Sequence, residues 1–284
     1  MSLYEELKRE FESKGIPVEQ TDFYDHPNFL KAEQVDPSYL IKFAKFVAER
    51  NYSQEYLDKA EKVITDVVQI MSSELIKNGR EGACVDISSI LARILEQKGV
   101  WCACIKGSTT IEFPQSSGID NTYYWSADHG SFTAGHAWVY APPFSIIDIT
   151  LNQQPHPENE KAFIPKVILV KDAVKTVSNV EDIISPEVRF QMQQQGIPTN
   201  LMLDLGSPEL KVVQSSIPAL SIVIQDTKFK YSPVAVHASI EGLPDMKNMK
   251  FDGDYPYQMY KKKFEKQVEN ITSNLGENLG HPPL

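Results

Sequence analysis

The sequence predicts an α+β fold in which a helical first half leads into an antiparallel sheet. Two observations carry this. Up to Gln97 the apolar residues recur at helical spacing, and after Gly99 the chain breaks into short runs of aromatic and β-branched residues separated by Pro, Gly and Asn. Helices first and consecutive strands afterwards, rather than the two alternating, is the pattern of an antiparallel sheet packed against segregated helices.

The elements follow in order. Residues 3–13 read as a first helix, and the aromatic-rich stretch from there to Val35 reads as irregular. Asp36-Pro37 supplies an N-cap and a first-turn proline for a helix whose stripe is Tyr39, Leu40, Phe43, Phe46 and Val47, ending near Asn51. Ser53 caps the next helix, which carries Leu57, Ala60, Ile64, Val67, Val68, Met71 and Leu75 to a stop at Gly79. Gly-Arg-Glu-Gly then breaks the chain. A new helix begins at Cys84, with Ile87, Leu91, Ile94 and Leu95 on its buried stripe, and closes at Gly99, where a residue without Cβ takes a left-handed cap. Strands are expected at Trp101–Ile105, Thr122–Trp125, Ala134–Tyr140, Ser145–Thr150 and Phe163–Val170. Beyond these, Ser185-Pro186 starts a helix stopped at Gly196, β-runs fall at Ala219–Ile224 and Val234–Ile240, and a final amphipathic helix places Tyr257, Tyr260, Phe264, Val268, Ile271 and Leu275 on one stripe. The expected organisation is 1–79 as the helical part of the core domain, 80–175 as the central unit, and 176–284 as an extension on the same domain.

The bulk numbers narrow the function. With 284 residues, 42% hydrophobic and 23% charged, the chain has the composition of a globular protein with a sizeable core. Lys+Arg 28 against Asp+Glu 38 gives a net charge of −10, and Lys261–Lys263 is the one dense basic run, reading as a solvated helix face, so nucleic acid is not the expected partner. The opening MSLYEELKRE is charged and amphipathic, and no run approaches the roughly 20 apolar residues of a membrane span. Three cysteines, an odd and low count, argue for a reducing compartment, which makes cytoplasmic the expected location; a signal-less secretion route leaves the same pattern.

Cys84 draws attention through its position. A free cysteine is ordinarily a small core residue, but at a helix N-terminus the unpaired N–H groups and the macrodipole stabilise a thiolate. Asp86 in the same turn reads as a carboxylate complementing that dipole. The second stretch is Ala134–Leu151, AGHAWVYAPPFSIIDITL, where alternation puts His136, Trp138 and Tyr140 on one strand face. A turn centred on Pro142 sets His136 opposite Asp148 and Trp138 opposite Ile146, and directly opposed residues have Cβ atoms about 5 Å apart. In that arrangement the thiolate attacks a carbonyl, the imidazole moves the proton, and the carboxylate accepts the Nδ1 proton to hold the tautomer. A one-residue slip would send Asp148 to the far face.

Three blocks in this order resemble a known family. Gly82-Ala83-Cys84-Val85-Asp86 followed by Leu91, Leu95, Gly99-Val100 and Gly107, then His136-Ala137-Trp138-Val139, then Ile147-Asp148-Ile149-Thr150, are similar to the core motifs of the transglutaminase-like superfamily over residues 80–151. The resemblance implies a papain-like α+β fold with Cys84 as nucleophile, His136 as base and Asp148 as orienter. It also implies attack on an amide or ester carbonyl of a protein, peptide or small molecule through a thioester. The polar link from Gly107 to Gly135 and the whole second half depart from the family pattern. No D-x-[DN]-x-[DN]-G calcium loop is present, which favours hydrolysis over crosslinking, and no cofactor or metal is expected.

The remaining candidates have bland readings beside the functional ones. The backbone N–H of Cys84 is the natural first oxyanion donor, with Asn78 or Gln69 as candidates for the second. Cys102 and Cys104 share a strand face and read as core rather than zinc ligands, and His129 is a rival base. Tyr123, Tyr124, Trp125 and Trp138 are candidates to line a substrate cleft. Two other functions fit the same residues: a scaffold that keeps the fold without turnover, and an acyl-CoA-dependent acyltransferase of the arylamine N-acetyltransferase kind.

Overall fold

The computed structural model describes residues 1–128, 131–132, 135–206 and 208–271. It is a mixed α+β structure with a curled antiparallel sheet. Helices lead: α1 (Leu3–Ser13), α2 (Pro27–Val35), α3 (Tyr39–Glu49), α4 (Gln54–Asn78) and α5 (Cys84–Gln97). Ser53 Oγ accepts the Tyr56 N–H at 3.1 Å to start α4, and Gly79 ends it at φ 65°. The expectation of an irregular stretch before Val35 is corrected by α2, a short helix capped by the His26 ring, with Pro27 in its first turn; it buries only Phe29 and Ala32, too few to show a period. α3 begins at Tyr39 rather than Pro37 because the Asp36 carboxylate accepts from Ser38 N and Oγ (3.0 and 2.6 Å) and holds a turn there.

The strands and later helices are β1 (Ala103–Glu112), β2 (Thr122–Tyr124), β3 (Ala127–Asp128), β4 (Ser131–Phe132), β5 (His136–Ala141), β6 (Phe144–Asp148), α6 (Glu158–Lys161), β7 (Ile168–Val170), β8 (Val174–Thr176), α7 (Val180–Ile183), α8 (Pro186–Gln194), α9 (Met202–Gly206), α10 (Pro208–Ser216), β9 (Ala219–Ile224), β10 (Thr227–His237) and α11 (Pro256–Lys263). Among the described residues the main sheet runs β7-β6-β5-β1-β10-β9-β8, with β2 also on β1. β5 pairs with Ala103–Gly107 and β2 with Thr109–Ile111, so the two lie end to end along the same side of β1. Residues beyond 176 therefore supply the strand next to the central one.

Several boundaries differ from the sequence expectation. β1 continues past Lys106 because its polar Ser108-Thr109-Thr110 stretch is buried with partners: Ser108 bonds Ser126 at 2.8 Å and Thr110 bonds Asp182 at 2.9 Å. Only Ile168–Val170 of the Phe163–Val170 run is strand, since Phe163 and Ile164 close the α6 turn and Pro165 has no N–H to donate. β10 starts at Thr227, its lysines satisfied by Glu112 (2.9 Å) and Asp182 (2.5 Å). The final helix stops at Lys263: the Lys98 ammonium binds Val268 O at 2.9 Å and Glu265 O at 3.2 Å, and turns the chain. Phe264, Val268 and Ile271 reach the core through that turn, so their spacing records burial rather than helix. Leu275 and the tail after it lie outside the described residues.

Among the described residues two layers make up most of the core, and a smaller cluster gathers Ala127, Ile183, Ile184, Met202 and Leu210. α4 and α5 pack with Cys104, Val139 and Ile147 on one face, joined by Phe251, Met259 and Phe264. The N-terminal helices pack with Ile105, Trp138, Ile146 and Tyr231 on the other. Among the described residues no helix is long and apolar enough to cross a membrane.

Candidate functional site

The site forms where α5 begins and β5 begins. Gly82 donates to Gln153 O at 3.2 Å, which brings the chain ahead of α5 against the turn that follows β6. Cys84 is the first helical residue, so its N–H has no acceptor within the helix. One turn later Ser88 Oγ donates to Ala137 O at 3.0 Å, tying α5 to the residue after His136. His136 opens β5 opposite Gly107, where a Cβ would lie 2.2 Å from Ser232 O and 2.7 Å from the Trp138 ring. A glycine is what lets β1, β10 and Trp138 close around the histidine strand.

His136 Nε2 and Asp148 Oδ2 are 2.6 Å apart, both side chains fully buried. The expected cross-strand register is corrected. The turn uses only Pro142 and Pro143, joined by a cis peptide bond, between paired Ala141 and Phe144. A register shift follows, so that Val139 pairs with Ile147. Continuing that pairing puts Asp148 beside Trp138, and it meets His136 on the diagonal, a distance that longer side chains span. The nitrogen engaged is also the other one: Asp148 holds Nε2, and Nδ1 is buried without a hydrogen-bond partner among the described residues.

Asp148 is satisfied by five donors. Oδ1 accepts Thr150 N at 2.8 Å, Thr150 Oγ1 at 2.9 Å and Leu151 N at 3.1 Å, while Oδ2 accepts His136 and the Tyr231 hydroxyl at 3.0 Å. Burial pushes the carboxyl up, but His136 and the Thr150 donors outweigh it and hold Asp148 below the usual carboxylate range. Burial pushes His136 down, but the Asp148 carboxylate and the Cys84 sulfur outweigh it and raise the ring to about 10. With Nε2 taken by Asp148, Nδ1 is the ring nitrogen left for a further partner.

The other candidates are engaged elsewhere or lie outside the described residues. Asp86 sits in the first turn of α5, as a carboxylate complementing the dipole does, and accepts the Asn248 amide at 2.6 Å. Asn78 donates to Lys250 O, and Gln69 is exposed on a groove with Glu74 and Lys262, so neither supplies the second oxyanion donor. Cys102 sits against Ala92 O, and burial pushes Cys104 up to about 12, as fits core thiols. Trp138 is packed edge-on against Tyr231 at 5.0 Å in the core, not a cleft. Tyr123 and Trp125 stack on each other at 5.3 Å, while Tyr124, between them, approaches His136 at 6.1 Å. Lys262 and Lys263 pair with Asp254 and Glu74, each at 2.7 Å. His129 lies outside the described residues. Among those described, no group of three or more His, Cys, Asp and Glu is placed to hold a metal ion.

Sequence reasoning missed Ser88, Tyr231 and His156, whose parts are played across the fold. Thr150 belongs to the Ile-Asp-Ile-Thr block, where a hydroxyl two residues after an aspartate is a readable Asx-turn signal. Comparison with protein-family models, with curated proteins and with solved structures returned no match.

Proposed function

We propose that this chain is a cysteine-dependent amide hydrolase or acyltransferase, with Cys84 as nucleophile, His136 as proton carrier and Asp148 as orienter in a papain-like, transglutaminase-like core. The observation that supports this best is the buried His136 ring, held at Nε2 by a carboxylate with five donors on a strand that Ser88 ties to the helix Cys84 opens. In this reading the Cys84 proton passes to His136 Nδ1 and the thiolate attacks the amide carbonyl carbon. The Cys84 N–H donates to the oxyanion. As the tetrahedral intermediate collapses, the C–N bond breaks and the imidazolium gives its proton to the leaving amine. Water then resolves the thioester to an acid and the free thiol, or an amine resolves it to a new amide. The substrate is a protein, peptide or small amide.

One observation favours the rival reading of a fold without turnover: Cys84 is only 6% exposed. Iodoacetamide labelling at neutral pH separates the two. The proposal expects Cys84 to react well ahead of Cys102 and Cys104, and His136→Gln to slow it. Equal labelling of the three cysteines, or no effect of His136→Gln, sinks the enzyme reading. A screen of amides and of acetyl-CoA, wild type against Cys84→Ala, then identifies the acyl donor.

A further inference from the structure

A second buried histidine stands beside this site with no part in the chemistry above. His156 has a fully buried side chain, and two of its neighbours, Leu151 and Tyr124, belong to the surroundings of His136 and Asp148. Its Nε2 lies 2.8 Å from Leu151 O. A carbonyl only accepts, so Nε2 carries the proton. Leu151 is the residue whose own N–H donates to Asp148 Oδ1, so His156 grips the far side of the turn that supplies three of the five donors on that carboxylate.

The other edge of the ring faces Tyr124, whose hydroxyl is 3.0 Å from Nε2 and 3.2 Å from Nδ1. Glu160 Oε2 faces Nδ1 at 3.3 Å and is itself held by Thr122 Oγ1 at 3.1 Å, so acceptors stand at both ring nitrogens and the Tyr124 hydroxyl lies against the edge between them. Tyr124 ends β2 opposite Thr109, and His136 starts β5 opposite Gly107, so the two side chains stand on the same face, two residues apart along β1. Their rings lie 6.1 Å apart, inclined at 41°. One histidine thus anchors the turn behind Asp148 and the ring that lies against His136.

We infer that His156 is a positioning residue for this site, fixing the Asp148 turn through Leu151 and the face of His136 through Tyr124. The inference rests on the catalytic reading of Cys84, His136 and Asp148. It assigns the contacts a purpose that stability alone does not have: with the turn loosened, Asp148 loses its Oδ1 donors, swings, and no longer holds the proton on His136.

The test reads the site rather than the fold. His156→Ala, His156→Gln and His156→Asn are compared with wild type by imidazole titration of His136 in NMR and by the pH profile of Cys84 alkylation with iodoacetamide. His156→Ala is expected to lower the His136 titration by about one unit or more, a tenfold change in protonation ratio, and to move the alkaline side of the Cys84 alkylation profile down with it. Gln, whose amide nitrogen falls near the Nε2 position and can reach Leu151 O, is expected to restore both; Asn, which mimics Nδ1, is not. If the Ala variant does not fold, the contrast between Gln and Asn carries the test alone. An unchanged His136 titration in folded His156→Ala, or equal behaviour of Gln and Asn, overturns the inference. His136→Gln is the control: if it leaves Cys84 alkylation unchanged the catalytic reading itself fails, whereas an effect there with none at His156 refutes the positioning role alone.

Discussion

Tyr231→Phe isolates one hydrogen bond of the Asp148 cage. The hydroxyl donates to Oδ2 at 3.0 Å, and the ring packs edge-on against Trp138 at 5.0 Å. Phenylalanine keeps the ring contact and removes only the donor. A hydrogen bond to a charged group contributes about 1.5–3 kcal/mol. His136 stays on the same oxygen and Oδ1 keeps its three donors, so the lower end applies, about 1.5 kcal/mol at pH 7. For a domain of this size that is a fall in Tm of roughly 3–6 °C. The sign with pH follows from the carboxylate. Asp148 is held below its usual value of 3.8, so its contribution is present above that value and lost as pH falls through the lower folded value. Urea unfolding of wild type and variant at pH 7 and pH 3 measures this, and the difference should shrink at pH 3. A variant as stable as wild type at pH 7, or one that loses the same amount at both pH values, refutes the claim that the hydroxyl acts on the carboxylate charge.

The remaining predictions concern the same centre. Gly107→Ala places a Cβ 2.2 Å from Ser232 O, a backbone atom held in the β1–β10 pairing, and should cost about 3 kcal/mol by overpacking, read as a lowered urea midpoint. His136, raised from 6.5 to about 10, contributes stability that is fully present below pH 6.5 and lost as pH rises through 10. The stability difference between wild type and His136→Gln should therefore decline from pH 6 to pH 10, and a flat difference across that range means the imidazolium is not what the fold stabilises.

The three proposed catalytic residues were legible because each is marked by local pattern. Cys84 follows a glycine break and opens an apolar stripe, while His136 and Asp148 sit on two β-runs joined by a proline turn, so short-range rules suffice to place them. The register between those runs was not legible. Pairing Ala141 with Phe144 and Val139 with Ile147 takes a register shift inside the hairpin, which no alternation of its residues encodes. The residues that hold the site are hidden for the same reason at longer range. Tyr231 reaches Asp148 only because β10 lies on β1, with Tyr231 facing Thr109, and its strand opens with two lysines whose partners, Glu112 and Asp182, are themselves distant in sequence. His156 carries no signal at all in His-Pro-Glu-Asn-Glu, since its importance lies in a carbonyl at Leu151 and a hydroxyl at Tyr124. The division has a physical basis. Reacting groups need particular side-chain chemistry, which a sequence displays, whereas the groups that hold them need only a donor or a ring in the right place, and many residues can supply that from anywhere the fold brings close.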